Sequence, residues 1–167
     1  MNAIAIDIQG LAELKAAWAQ APEIARSELA TAMAEADALL EREVKEATPT
    51  AQGLLRGSIF GVEDVSDTQV IGVVGTPMKY AIPVELGAKP HFPPIEPLID
   101  WVRVKLGITG DKEAKGAAYA IARTIASRGT LAVGMFHRTF ARERPQLDAI
   151  FTRARERIFL RLARGGS

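Results

Sequence analysis

The sequence predicts an α+β fold: a small antiparallel sheet (an N-terminal strand plus a hairpin) packed with a long N-terminal helix and three C-terminal helices. Three observations lead there. Ile4, Ile6 and Ile8 alternate with Ala5 and Asp7, a period-two pattern ended by Gly10. Two short runs rich in valine and isoleucine, 57–64 and 69–76, flank Ser66-Asp67 and read as a hairpin. The stretches on either side carry apolar residues at steps of three and four, the helical period.

The elements follow in order. Leu11 to Gln20 reads as a short helix with Leu11, Leu14 and Trp18 on one side. Pro22 then suits the first turn of a new helix, with Glu23 beside it favouring the N-terminus. That helix carries Ala25, Leu29, Met33, Ala36, Leu40 and Val44 on one stripe and stops at Thr48-Pro49. Residues 50–59 read as a loop leading into the hairpin. In the second strand Val70, Gly72 and Val74 face one way and Ile71 and Val73 the other, as in a strand that is buried or covered by a partner.

Ile95, Leu98, Ile99, Val102 and Leu106 form a helical face, with Pro94 and Pro97 in the first turn and Gly107 at the stop. Asp111 can cap the next helix, which turns Ala114, Ala118, Ile121 and Ile125 inward and closes at Arg128-Gly129. Residues 129–136 read as a loop or short extended piece. The last helix is expected from near Pro145, with Leu147, Ile150, Phe151, Ala154, Ile158 and Leu162 as its stripe. Residues 165–167 should fray.

Composition bounds the class. The 167 residues suit a single domain, and 48% apolar with 25% charged residues is ordinary for a folded protein. With no cysteine, disulfides and thiolate metal sites are excluded. No signal peptide or transmembrane run is visible, so no membrane partner is expected. The net charge of +1 is unevenly spread. Residues 1–100 hold 15 acids and 7 bases, whereas residues 101–167 hold 14 bases and 5 acids. Either the two parts attract one another within one fold, or the acidic part of one copy meets the basic part of the next.

Chemistry is nearly absent from the pattern. Neither His91 nor His137 has a second ligand at metal spacing. No dinucleotide fingerprint, phosphate loop or nucleophile elbow occurs, and no cofactor is implied. Glu85 and Glu96 flank a proline-rich run, but nothing in the sequence brings them together. Arg153, Arg157, Arg161 and Arg164 share one face of the last helix and are candidate phosphate contacts, so a nucleic-acid-binding module is the alternative reading. No aromatic platform interleaves with them.

Six of the nine prolines fall between Pro77 and Pro97. Proline fixes φ and removes a donor, so 77–94 reads as a stiff docking segment, neither ordinary helix nor ordinary strand. Candidate partner contacts are Arg56, Tyr80, Glu85, His91, Phe92, Phe136 and Arg138. Reversing the charge of Glu85 is expected to leave the chain folded and to block assembly.

Several stretches carry a family resemblance, in this order along the chain. They are Gly53-Leu54-Leu55-Arg56-Gly57-Ser58-Ile59, Tyr80-Ala81 with Val84-Glu85-Leu86-Gly87, His91-Phe92-Pro93-Pro94 leading to Trp101-Val102, Tyr119-Ala120-Ile121-Ala122-Arg123, and Arg128-Gly129-Thr130. The series resembles the tail-completion, or head–tail joining, family of siphophages and prophages. Ala51-Gln52, Ala88 and Gly134-Met135-Phe136-His137-Arg138 depart from that family's usual residues. The resemblance implies a non-enzymatic virion protein, assembled in the host cytoplasm, that completes the tail and joins it to the head. Its implied partners are copies of itself in a hexameric ring, the tail terminator, the head connector or stopper, and genomic DNA in the channel.

Overall fold

A computed structural model describes residues 11–50 and 53–165. The expected N-terminal strand lies outside these residues. The elements are α1 (Leu11–Ala47), α2 (Leu54–Gly57), β1 (Phe60–Val65), β2 (Val70–Gly75), α3 (Ala81–Leu86), α4 (Ile95–Leu106), α5 (Asp111–Arg128) and α6 (Met135–Gly165). The α+β expectation holds: the chain is mostly helical, with a two-stranded antiparallel hairpin, a long N-terminal helix and three C-terminal helices. The chain divides into two compact units, one of residues 1–39, 61–73 and 143–167, the other of 40–60 and 74–142.

Four expectations about local structure are corrected. The short helix at Leu11–Gln20 and the helix expected from Pro22 are one, with Pro22 inside α1. An internal proline forfeits one backbone hydrogen bond, and the alanine-rich flanks carry the helix through. The loop at 50–59 contains α2, which is entered through Gly53 at φ 79°. The docking segment is helical over Ala81–Leu86. Pro83 sits in the first turn of α3, where backbone N–H groups have no helical acceptor to lose. The last helix starts at Met135, ten residues before Pro145, and takes in part of the loop expected over 129–136. A smaller shift concerns α5, whose N-cap is Gly110; Asp111 and Glu113 lie in its first turn.

In the first unit, α1 buries Ala32, Ala36 and Leu39, and α6 buries Leu147, Ile150 and Ala154. Ion pairs run between the two helices. Arg153 donates to Glu35 (2.7 Å), and Arg157 and Arg161 both donate to Glu28 (2.6 and 3.0 Å). Higher numbers on α6 meet lower numbers on α1, so the helices are antiparallel there. The hairpin turn closes through the Ser66 N–H bonded to the Gln69 carbonyl (2.9 Å), and this register sets Val62 opposite Val73. Gly72 faces α1 so closely that an added Cβ would overlap Met33 and Asp37. The opposite face of β2, Ile71 and Val73, is exposed.

The second unit has two small cores. Val44, Leu55, Ile59, Ala81 and Met135 form one, with Val74, Met78, Val84 and Phe136 packed against it. The Thr48 hydroxyl donates to the Val44 carbonyl (2.6 Å) and lies 3.3 Å from Met135 Sδ. The other core joins α4 and α5 through Val102, Ala114 and Ala118, with Leu98, Ile99 and Ile121 around them. Alanines on α5 let the α4 backbone approach closely. Gly107 ends α4 at φ 67°, as its position predicts.

Candidate functional site: a clamp and an acid-rimmed groove

The motif stretch at Val84–Gly87 meets the end of the Arg128–Thr130 stretch and the residues that follow it. Segment 84–88 and segment 130–137 are tied by a run of backbone and side-chain bonds. Ala88 and Thr130 exchange both of their backbone N–H···O bonds (3.1 and 2.9 Å). The Val133 and Gly134 N–H groups donate to the carbonyls of Val84 and Glu85 (2.9 and 3.1 Å). The Glu85 carboxylate then accepts from the N–H groups of Phe136 and His137, both at 2.9 Å. Those two N–H groups lie in the first turn of α6, where no helical carbonyl precedes them. The carboxylate therefore caps the helix and adds a favourable charge–dipole interaction.

Glycine is required on both strands of this clamp. At Gly129 (φ 73°) an added Cβ would run into the Ala88 carbonyl oxygen. At Gly87 (φ 75°) it would lie 2.5 Å from the Thr130 carbonyl oxygen. The pairs Leu86-Gly87 and Arg128-Gly129 thus have a backbone reason: two chains cross with no room for a side chain.

Beside the clamp lies an open groove of about 600 Å³. Leu54 and Leu55 of α2, Tyr80 and Val84 around α3, and Trp101 of α4 give it an apolar floor. Glu96, Asp100 and Lys105 of α4 stand along one side. Leu54 is 62% exposed, and Tyr80 and Trp101 are also open to solvent. Large apolar groups held open in a concave site are suited to receiving a partner's side chains.

The expected partner contacts separate into three groups. Tyr80 lines the groove. Glu85 and Phe136 are engaged inside the chain, one as the cap of α6 and the other against the core. The expectation that reversing the charge of Glu85 leaves the chain folded is therefore corrected, because the reversal would remove the cap of α6. Arg56, His91, Phe92 and Arg138 are exposed, with the His91 ring Nδ1 2.8 Å from the Lys89 carbonyl oxygen. The candidate phosphate contacts Arg153, Arg157 and Arg161 are held by Glu28 and Glu35, and Arg164 is exposed. Hydrogen bonds from Arg157 and Arg161 hold the Glu28 carboxyl below the usual carboxylate range.

Sequence reasoning named Tyr80 but missed Leu54 and Trp101 of the groove floor, because these become neighbours only through folding. It also missed Phe159 and Leu160 on α6, which are 75% and 55% exposed. A signal existed: both lie off the stripe of Leu147, Ile150, Ala154, Ile158 and Leu162, so they project from the polar face.

Among the described residues no cluster of three or more His, Asp or Glu side chains could hold a metal ion. No helix among them is long and apolar enough to cross a membrane. Comparisons with protein-family models, curated proteins and solved structures found no match to this chain.

Proposed function

We propose that this chain is a structural virion protein of a long-tailed phage or prophage. It completes the tail and joins it to the head as a ring-forming subunit in the neck, and it acts by docking rather than by catalysis. The observation that carries this reading is the convergence of the motif stretches. Of those stretches, Gly53, Leu54, Leu55, Tyr80, Val84 and Trp101 contribute to one open apolar groove, and beside it the Val84–Gly87 stretch is clamped to the segment that begins at Thr130. Residues that resemble one family's pattern thus cluster around a surface fit for a partner. The arginine face of α6 bonds to acids of α1, which favours this docking role over phosphate binding.

Light scattering of the purified protein, alone and with the tail terminator or head connector of the same genome, tests the proposal. A stable complex with either neighbour is the expected result. A chain that stays monomeric and binds neither overturns it.

A further inference from the structure

The outward face of α6 carries an apolar patch that stays open among the described residues. Phe159 is 75% exposed and Leu160 55%; Arg155 and Glu156 lie beside them, and Arg164, also exposed, follows one turn after Leu160 on α6. A phenylalanine this exposed near the end of a charged helix costs solubility unless something covers it. In the second unit lies a surface of the opposite character. The groove has an open apolar floor of Leu54, Tyr80 and Trp101, and a rim of two acids and one base, Glu96, Asp100 and Lys105.

We propose that Phe159 and Leu160 of one copy seat in the Leu54–Tyr80–Trp101 groove of a second copy. The charges match one for one. Arg155 and Arg164 meet Glu96 and Asp100, and Glu156 meets Lys105. Asp100 leaves little behind in turning to a new partner, since its contact with Arg103 spans 4.0 Å. The two surfaces are different patches of one chain, so the contact is heterologous. It leaves a free groove at one end and a free knob at the other, and it propagates until the rotation closes a ring. The apolar knob supplies affinity, and the charges set register and encounter rate. This deepens the ring-subunit reading and rests on it for closure; the pairwise contact stands on the two surfaces alone.

Two single substitutions at exposed positions test it: Phe159→Gln, which disables the knob, and Leu54→Gln, which disables the groove. Sedimentation equilibrium of wild-type protein should show reversible association, and each variant should weaken it about tenfold or more, as expected for an anchor residue. Mixed in equal amounts, the two variants should form a one-to-one heterodimer and nothing larger, because only one intact knob and one intact groove remain. Circular dichroism confirms that both variants fold. Wild-type protein that stays monomeric up to about 1 mM overturns the contact. So does association that neither variant weakens, or a mixture that forms no heterodimer. Association through this contact without binding to the tail terminator or connector upholds the inference and counts against the virion role; binding to those neighbours with no self-association does the reverse.

Discussion

Replacing Glu85 with alanine should loosen the start of α6 by an amount that the local geometry sets. The Glu85 carboxylate accepts two backbone N–H bonds at 2.9 Å, from Phe136 and His137. Losing a helix cap costs about 0.5–2 kcal/mol, and losing a carboxylate's interaction with the helix dipole about 0.3–1 kcal/mol. Glu85→Ala should therefore destabilise the protein by about 0.8–3 kcal/mol. Glu85→Gln keeps one acceptor without the charge and should cost about 1 kcal/mol. An ordinary surface carboxylate would change stability by no more than about 0.5 kcal/mol. Urea unfolding followed by circular dichroism gives the global value. Amide hydrogen exchange gives the local one, since the Phe136 and His137 amides should lose protection selectively. Stability within about 0.5 kcal/mol of wild type, with both amides still protected, would refute the capping role.

Other substitutions probe other parts of the argument. Gly129→Ala places a methyl group against the Ala88 carbonyl at φ 73° and should cost about 2–3 kcal/mol in the same unfolding assay. Pro145→Ala restores a backbone donor inside α6 and should stabilise by about 1–3 kcal/mol. Asp37 is 5% exposed, and its Oδ2 has no hydrogen-bond partner among the described residues. Burial, and then the charge of Glu63, raises its pKa above the ordinary value. The folded state thus binds this proton more readily than the unfolded chain, so stability falls as pH rises from the ordinary carboxylate pKa through the raised one. Asp37→Asn should flatten that fall and stabilise by on the order of 1 kcal/mol near neutral pH. Glu28 has the opposite sign: its lowered pKa stabilises the fold above the ordinary glutamate value, and this is lost as pH falls through the lowered one. Glu28→Gln should remove that limb from the acid-unfolding profile.

Helix periodicity was legible where an apolar stripe was long. The α4 and α6 stripes, the hairpin and the Gly107 and Gly129 stops all stand close to where residue spacing puts them. Three of the misread elements share one cause, the weight given to proline. Pro22, Pro83 and Pro145 all lie inside helices. Each loses at most one backbone bond, less than the packing of a long or well-clamped helix supplies. The clamp was illegible for another reason. It joins residues about fifty positions apart through backbone atoms, and backbone bonding leaves a side-chain signature only at its glycines and at Glu85.

The proline-rich run therefore also has a use inside the fold. Its first part is a short helix whose end fixes the entry to α6, and Tyr80 and Val84 also line the groove. A substitution at Glu85 that blocks assembly would be ambiguous, because the same carboxylate holds the fold together. Leu54 and Phe159 lack that ambiguity: both project into solvent, and neither side chain belongs to a buried cluster. A loss of association on changing either one, with stability unchanged, must come from the surface itself. Assembly should therefore be dissected at the groove and the knob, and folding at the clamp.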